Sequence, residues 1–249
     1  LLGNLRRRLG KPPDYVVFVL EGPYPELPGP RGGFLRRRFF PTKPSLQELS
    51  DQLRAVAADH RVRGVVLHLR PLNMPPAQLQ TLRDLIGELR STGKRVVVWS
   101  HTYDNNSYYV ACAADEVLLQ PGGFVMPLGM HLGFVFLADA LKRIGLKAEF
   151  VQISPYKSAG DQLSRSSMSD QMREMIDWLM DDAHAGFTRA IAEGRGLDDD
   201  GARALVDNAP YDDLKAVEAG VVDAMVGEED LPSHLGSPER PARLAPFEA

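Results

Sequence analysis

In this 249-residue chain, the loop Val151-Gln-Ile-Ser-Pro-Tyr-Lys-Ser-Ala-Gly-Asp161 holds the residues best suited to chemistry. It follows the apolar run Lys147-Ala-Glu-Phe-Val-Gln-Ile153, which reads as a strand. A lysine just past a buried strand end can lose part of its hydration, which leaves a neutral amine able to take a proton from a nucleophile. The same spacing also describes an ordinary surface lysine. Other chemistries find less support. The histidines at 60, 68, 101, 131, 184 and 234 show no HxxxH or HxH spacing. His68 alternates within an apolar strand and reads as a satisfied core histidine. Asp198-Asp-Asp200 lacks the alternating ligands and glycine turn of a calcium loop, and instead complements a helix dipole. No P-loop, no GxGxxG after a strand and no GxSxG elbow occurs. No metal and no cofactor are therefore expected.

The elements that must position this loop follow a repeated strand-then-helix rhythm. Tyr15–Leu20, Gly64–Leu69, Arg95–Trp99 and Glu116–Leu119 are apolar runs of strand length. Ser45-Leu-Gln-Glu48 is a capping box, and Leu46, Leu49, Leu53 and Val56 then recur on one helical face. Pro75 and Pro76 can only open the next helix, whose Leu79, Leu82, Ile86 and Leu89 form its stripe and which Gly93 closes. Short helices are predicted over Tyr108–Ala114 and Leu132–Arg143. Such alternation implies a mostly parallel sheet flanked by helices. Ser169 can cap a long helix with Met172, Met175, Ile176, Leu179, Ala183 and Phe187 along one side, a core stripe or an oligomer contact. From Leu231 to Ala249 the composition turns to Pro, Ser, Arg and Gly and reads as a linker, which implies a longer protein.

Bulk properties narrow the partners. Hydrophobic residues at 44% and a net charge of −4 suit a globular domain and give no reason to expect nucleic acid. The lone Cys112 rules out an internal disulfide. No run of about 18 apolar residues occurs, so no spanning helix is predicted. Arg6–Arg8, and Arg36–Arg38 beside Phe34, Leu35, Phe39 and Phe40, read either as solvated loops or as contacts to an anionic membrane surface.

Tyr156-Lys-Ser-Ala-Gly-Asp161, followed by Arg165 and Met168-Ser169, resembles the lysine motif of the signal peptide peptidase A (protease IV) family. Tyr108-Tyr-Val-Ala-Cys-Ala-Ala-Asp115, Pro121-Gly-Gly123 and Gly129 resemble the family's serine-helix region. Leu214-Lys-Ala-Val-Glu-Ala-Gly-Val-Val-Asp223 resembles the closing segment of ClpP/crotonase-like folds. The resemblance runs over residues 14–230 in the family's order. It implies a ClpP/crotonase-like α/β fold with a C-terminal helical segment. It also implies Lys157 as general base, with Tyr156, Ser158 and Asp161 shaping its loop. The domain reading is a basic segment over 1–13, juxtamembrane if a spanning helix precedes it, a peptidase half-domain over 14–230 and a linker over 231–249.

Two departures define the expected role. Family members with their own nucleophile carry serine and two glycines before the tyrosines, whereas Asn105-Asn-Ser107 stands at that place, with Asn105 at the serine position. An amide cannot form the acyl intermediate. Ser107 is the alternative nucleophile. The glycine-rich oxyanion turn is replaced by Arg70-Pro-Leu-Asn-Met-Pro-Pro76. The resemblance then implies the lysine-bearing N-terminal half of a long member, inactive alone and partnered by a serine-bearing C-terminal half. It further implies homo-oligomers, signal-peptide or other peptide substrates, and a place at the bacterial cytoplasmic membrane with the peptidase on the extracytoplasmic side. A non-catalytic assembly domain and a crotonase-type acyl-CoA enzyme are the alternatives.

Overall fold

The computed structural model of the chain describes residues 12–29 and 44–247. The basic clusters at Arg6–Arg8 and Arg36–Arg38 lie outside the described residues. Strands β1 (Tyr15–Leu20), β2 (Gly64–Leu69), β3 (Arg95–Tyr103) and β4 (Glu116–Val125) pair in parallel, in register from Tyr15 through Gly64 to Arg95. The short β5 (Tyr211–Asp212) joins β4 antiparallel, and β6 (Ala224–Met225) joins another stretch of β4 in parallel. Every residue of β2 is buried, as a strand covered on both faces requires.

The helices between these strands arise where their sequence signals place them. Helix α1 (Leu46–Ala58) starts on the reciprocal Ser45–Glu48 capping box, with backbone-to-side-chain bonds of 2.9 and 3.1 Å, and buries Leu46, Leu49, Leu53 and Val56. Helix α2 (Pro76–Ser91) opens on Pro75-Pro76 and buries Leu79, Leu82, Leu85, Ile86 and Leu89. Helix α3 (Asn105–Ala111) begins three residues earlier than the apolar pattern suggests, because Asp104 caps it. Later helices are α4 (Ala138–Arg143), α5 (Asp161–Ser164), α6 (Asp170–Arg195), α7 (Asp199–Asp207), α8 (Asp213–Glu218) and α9 (Leu231–Leu235). Asp198 caps α7 by accepting from the Gly201 amide at 2.8 Å, the helix-end role expected of that acidic run.

One sheet face is closed by Tyr15, Val66, Val97, Trp99 and Leu118 packing with Val226, Leu231, Leu235 and Ala242. Trp99 Nε1 donates to the Val226 carbonyl at 2.7 Å, so the indole is buried without losing its bond. The closing Gly-Val-Val-Asp segment is also a clamp. Asp223 accepts from the Val117 amide at 2.6 Å and from Arg195 at 2.6 and 3.2 Å, and Tyr108 Oη donates to the Val221 carbonyl at 2.8 Å.

The chain divides into two compact units, residues 129–189 and the remainder. Within 129–189 the structure corrects two expectations. Residues 147–153 form no strand but an exposed, irregular run, with Val151 and Ile153 facing water. Strand-like composition cannot form a strand without a neighbouring strand to complete the ladder. Of the predicted helix over Leu132–Arg143 only α4 forms, and it buries no residue. A third correction concerns the predicted linker at 231–249. Over its described part it folds into α9 and the strand β7 (Leu244–Pro246), which pairs in parallel with Tyr15–Val17 of β1. The Arg243 amide donates to Asp14 Oδ2 at 2.9 Å, and Phe247 stacks on Phe18 at 5.1 Å between centroids. Leu231, Leu235 and Ala242 bury enough apolar surface to order a stretch whose composition alone suggests a tether.

Candidate functional site

The Lys157 loop is built inside the 129–189 unit. The Lys157 amide donates to the Ser154 carbonyl at 3.0 Å, closing a turn, and residues Ser158–Gly160 continue as a single 3-10 turn into α5. Gly160 is required here by close approach, since a Cβ at that position would sit 2.6 Å from the Phe150 ring. Asp161 is buried, and its carboxylate accepts from Ser169 Oγ at 2.6 Å and from Gln152 Nε2 at 3.3 Å. Ser169 Oγ in turn accepts from the Met172 amide at 3.3 Å, capping α6 as the sequence predicts. Tyr156 Oη donates to Glu174 Oε2 at 3.0 Å. That bond holds the phenol above its ordinary value, since ionisation would set two anions side by side. A cleft of about 490 Å3 runs beside the loop, lined by Glu149, Val151, Gln152, Asp161 and Arg165 among others.

Four residues expected at the site therefore share one loop, in distinct positions. Lys157 is exposed, and among the described residues no carboxylate pairs with its amine. Tyr156 and Asp161 are anchors on either side of it. Ser158 opens the 3-10 turn half-buried, and its hydroxyl has no hydrogen-bond partner among the described residues. Glu174 and the second bond of Ser169 escape sequence reasoning. A helix stripe reports apolar positions, and Glu174 lies on the polar side between Met172 and Met175.

Asn105 belongs to the other unit, as the first residue of α3. Ser107 forms a reciprocal capping box with Asp104: its amide donates to Asp104 Oδ1 at 2.8 Å, its Oγ accepts from the Asp104 amide at 2.8 Å, and its hydroxyl donates to the same carboxylate at 2.6 Å. A serine that is buried and committed at both ends of its hydroxyl is a helix-start residue, not an available nucleophile. The Arg70–Pro76 segment has no glycine and is partly buried. Leu72 and Met74 are buried, and Asn106 Nδ2 donates to the Leu72 carbonyl at 2.9 Å, which fastens the segment to α3.

Two other groups have reactive types but structural settings. The buried Lys94 donates to the carbonyls of Asp59 and Val62, both at 2.6 Å, tying α1 and β2 to the start of β3. Burial pushes the Cys112 thiol up to about 12, so it is protonated at neutral pH and unreactive. His68 is buried as expected, but it is not satisfied: its Nε2 has no hydrogen-bond partner among the described residues. Aromatic contacts surround it instead, with Trp99 edge-on at 4.5 Å and His101 at 5.8 Å. Among the described residues no group of three metal-ligating side chains is present.

Comparison with known proteins bears on this arrangement. The family model for peptidase family S49 matches residues 88–237, taking in both α3 and the Lys157 loop. The chain is similar to the chloroplastic serine protease SPPA of Arabidopsis thaliana, 29% identical over 178 residues, which cover 72% of this chain and 26% of that protein. It is similar to Protease 4 of Salmonella typhi, 24% identical over 202 residues, which cover 77% of this chain and 32% of that protein. The chain thus spans about a quarter to a third of the length of these relatives. Among solved structures, the 1510-N membrane-bound stomatin-specific protease superposes with a TM-score of 0.51 at 10% identity, over 94% of this chain and 97% of that one. At that identity the likeness concerns the fold alone, and it agrees with the ClpP/crotonase-like class expected from the motifs.

Proposed function

Because this chain belongs to peptidase family S49, we propose that it contributes the lysine of a serine–lysine peptidase site whose serine lies in a second half of the full-length protein. Lys157, as the neutral amine, takes the proton of that serine hydroxyl while the oxygen attacks the scissile carbonyl. The protonated amine then returns the proton to the leaving amine, and water releases the acyl group by the same base. The observation that carries this reading is the placement of Lys157 on a loop whose neighbours on both sides are anchored. The amine itself is exposed in this chain, against the partial burial expected from the sequence, so the loss of hydration that a neutral lysine needs falls to the second half or a bound peptide. The Asn105 amide and the committed Ser107 support placing the nucleophile elsewhere.

The proposed substrates are residual signal peptides or similar extended peptides. The proposed setting is a homo-oligomer on the extracytoplasmic side of a bacterial cytoplasmic membrane. Among the described residues no helix is long and apolar enough to cross a membrane. The glycine-free Arg70–Pro76 segment disfavours an acyl-CoA enzyme, which needs backbone donors aimed at a thioester oxygen. Together with Asn105 it leaves a non-catalytic assembly domain as the second reading.

The deciding experiment compares Lys157→Ala and Lys157→Arg in the full-length gene product. Both are expected to lose about 100- to 10,000-fold in kcat, the usual contribution of a positioned base, because a guanidinium cannot accept the proton. Near-normal turnover by correctly assembled Lys157→Arg protein overturns the assignment.

A further inference from the structure

The lysine loop could be held by its own turns alone, yet its far end is tied to something else. Asp161 is a buried carboxylate with no cationic partner among the described residues. A carboxylate out of water needs donors, and this one has two: the Gln152 amide at 3.3 Å and the Ser169 hydroxyl at 2.6 Å. The shorter bond comes from Ser169, the residue that caps α6. Between Asp161 and Lys157 the chain has little freedom. The Asp161 amide donates to the Ser158 carbonyl, the Arg165 amide to the Asp161 carbonyl at 2.9 Å, and Gly160 is pressed against Phe150. A displacement of Asp161 must therefore carry the 3-10 turn, and Lys157 at its head, with it.

We infer that Ser169 is a positioning residue for Lys157, acting through the Asp161 carboxylate. This rests on the proposed role of Lys157 as the base. The hydroxyl of Ser169 serves two purposes through different parts of one group. Its lone pair accepts the Met172 amide as a helix cap, and its single proton goes to Asp161. Only the second links α6 to the lysine loop, so the two purposes can be separated by substitution. Threonine keeps both. Aspartate keeps the cap, being a good N-cap residue, but has no proton to give and sets a second negative charge against Asp161. Alanine loses both.

The test uses the full-length gene product with a peptide substrate, and measures kcat, KM and the pH profile of Ser169→Thr, Ser169→Asp and Ser169→Ala. Misplacing a catalytic group by about 1 Å costs up to about 100-fold, so Ser169→Asp and Ser169→Ala are expected to lose about 10- to 100-fold in kcat with KM little changed. Ser169→Thr should restore the rate and pH profile of the wild type together. A purely structural cap predicts a different result, with Ser169→Asp indistinguishable from wild type in kcat and pH profile, and that result overturns the inference. If Ser169→Ala does not fold, the pair of capping variants decides the matter. The Lys157→Arg variant separates the two claims: if it retains turnover, the base assignment fails. If it is inactive while Ser169→Asp is normal, the positioning role alone fails.

Discussion

Residues 129–189 and the sheet-bearing remainder of the chain keep their shape by different means. In the sheet-bearing unit the strands are apolar and Trp99, Tyr103 and Tyr108 are fully buried, with each polar tip bonded to a backbone carbonyl. In residues 129–189, Met172 and Phe187 are the buried large apolar side chains, while Val151, Ile153 and Trp178 lie open to water. What fixes the Lys157 loop there is a small set of polar bonds, centred on Asp161, plus the contact of Gly160 with Phe150. A loop held by few directional bonds can be displaced by losing one of them, whereas a packed sheet spreads the same loss over many contacts.

The contrast can be tested by substitution, beginning where the effect should be greatest. Trp99→Ala removes a fully buried indole and leaves the Val226 carbonyl unpaired, and should cost about 3–5 kcal/mol in chemical denaturation. A loss under about 1 kcal/mol would mean that the sheet face is far less tightly packed than described. Asp223→Ala should cost less, about 1–3 kcal/mol, because it strands the Val117 amide and the mostly buried Arg195 guanidinium. Asp223→Asn should recover part of that, since its carbonyl can still accept from Val117.

His68 gives a smaller and pH-dependent effect. Burial lowers its value below the ordinary histidine range, with Arg70 and His101 acting in the same direction and Glu228 opposing them. The unfolded chain therefore takes up the proton first as pH falls. The full stability is present above about pH 6.5 and is lost progressively below it. His68→Phe should flatten the fall in melting temperature between pH 7 and pH 5, and an unchanged slope would show that another group titrates. At the bottom of the scale is Trp178→Ala, at a side chain 77% exposed, where stability should stay within about 0.5 kcal/mol. A large loss there would mean that this face of α6 is covered in the intact protein.

Much of this architecture was legible in the residues. The apolar runs that become β1 to β4 needed no partner information, since a strand buried on both faces is apolar along its length. The Ser45 box and the Ser169 cap were legible because their hydrogen bonds close over three residues. The Lys157 loop was legible as a motif, whereas the partners of Tyr156 and Asp161, Glu174 and Ser169, were not, and Ser158 has no side-chain bond among the described residues. Lys147–Ile153 misled because β propensity describes fitness for a pleated surface, and here no neighbouring strand supplies one.

By itself, then, the sequence determined the elements whose bonds or periodicity are local, and the residue types available at the proposed site. It also determined that Asn105 stands where the family resemblance places a serine. Only the tertiary structure decided that Leu244–Pro246 is a strand, because its partner β1 lies more than two hundred residues earlier and a proline-containing triplet carries no strand signal of its own. Only the tertiary structure decided that Ser107 is consumed by Asp104 and that Asp161 is buried under Ser169. A hydroxyl or carboxylate has the same composition whether its bonds are spent on a cap, a latch or a substrate. Which of these it serves is set by the donors and acceptors that folding brings within about 3 Å of it.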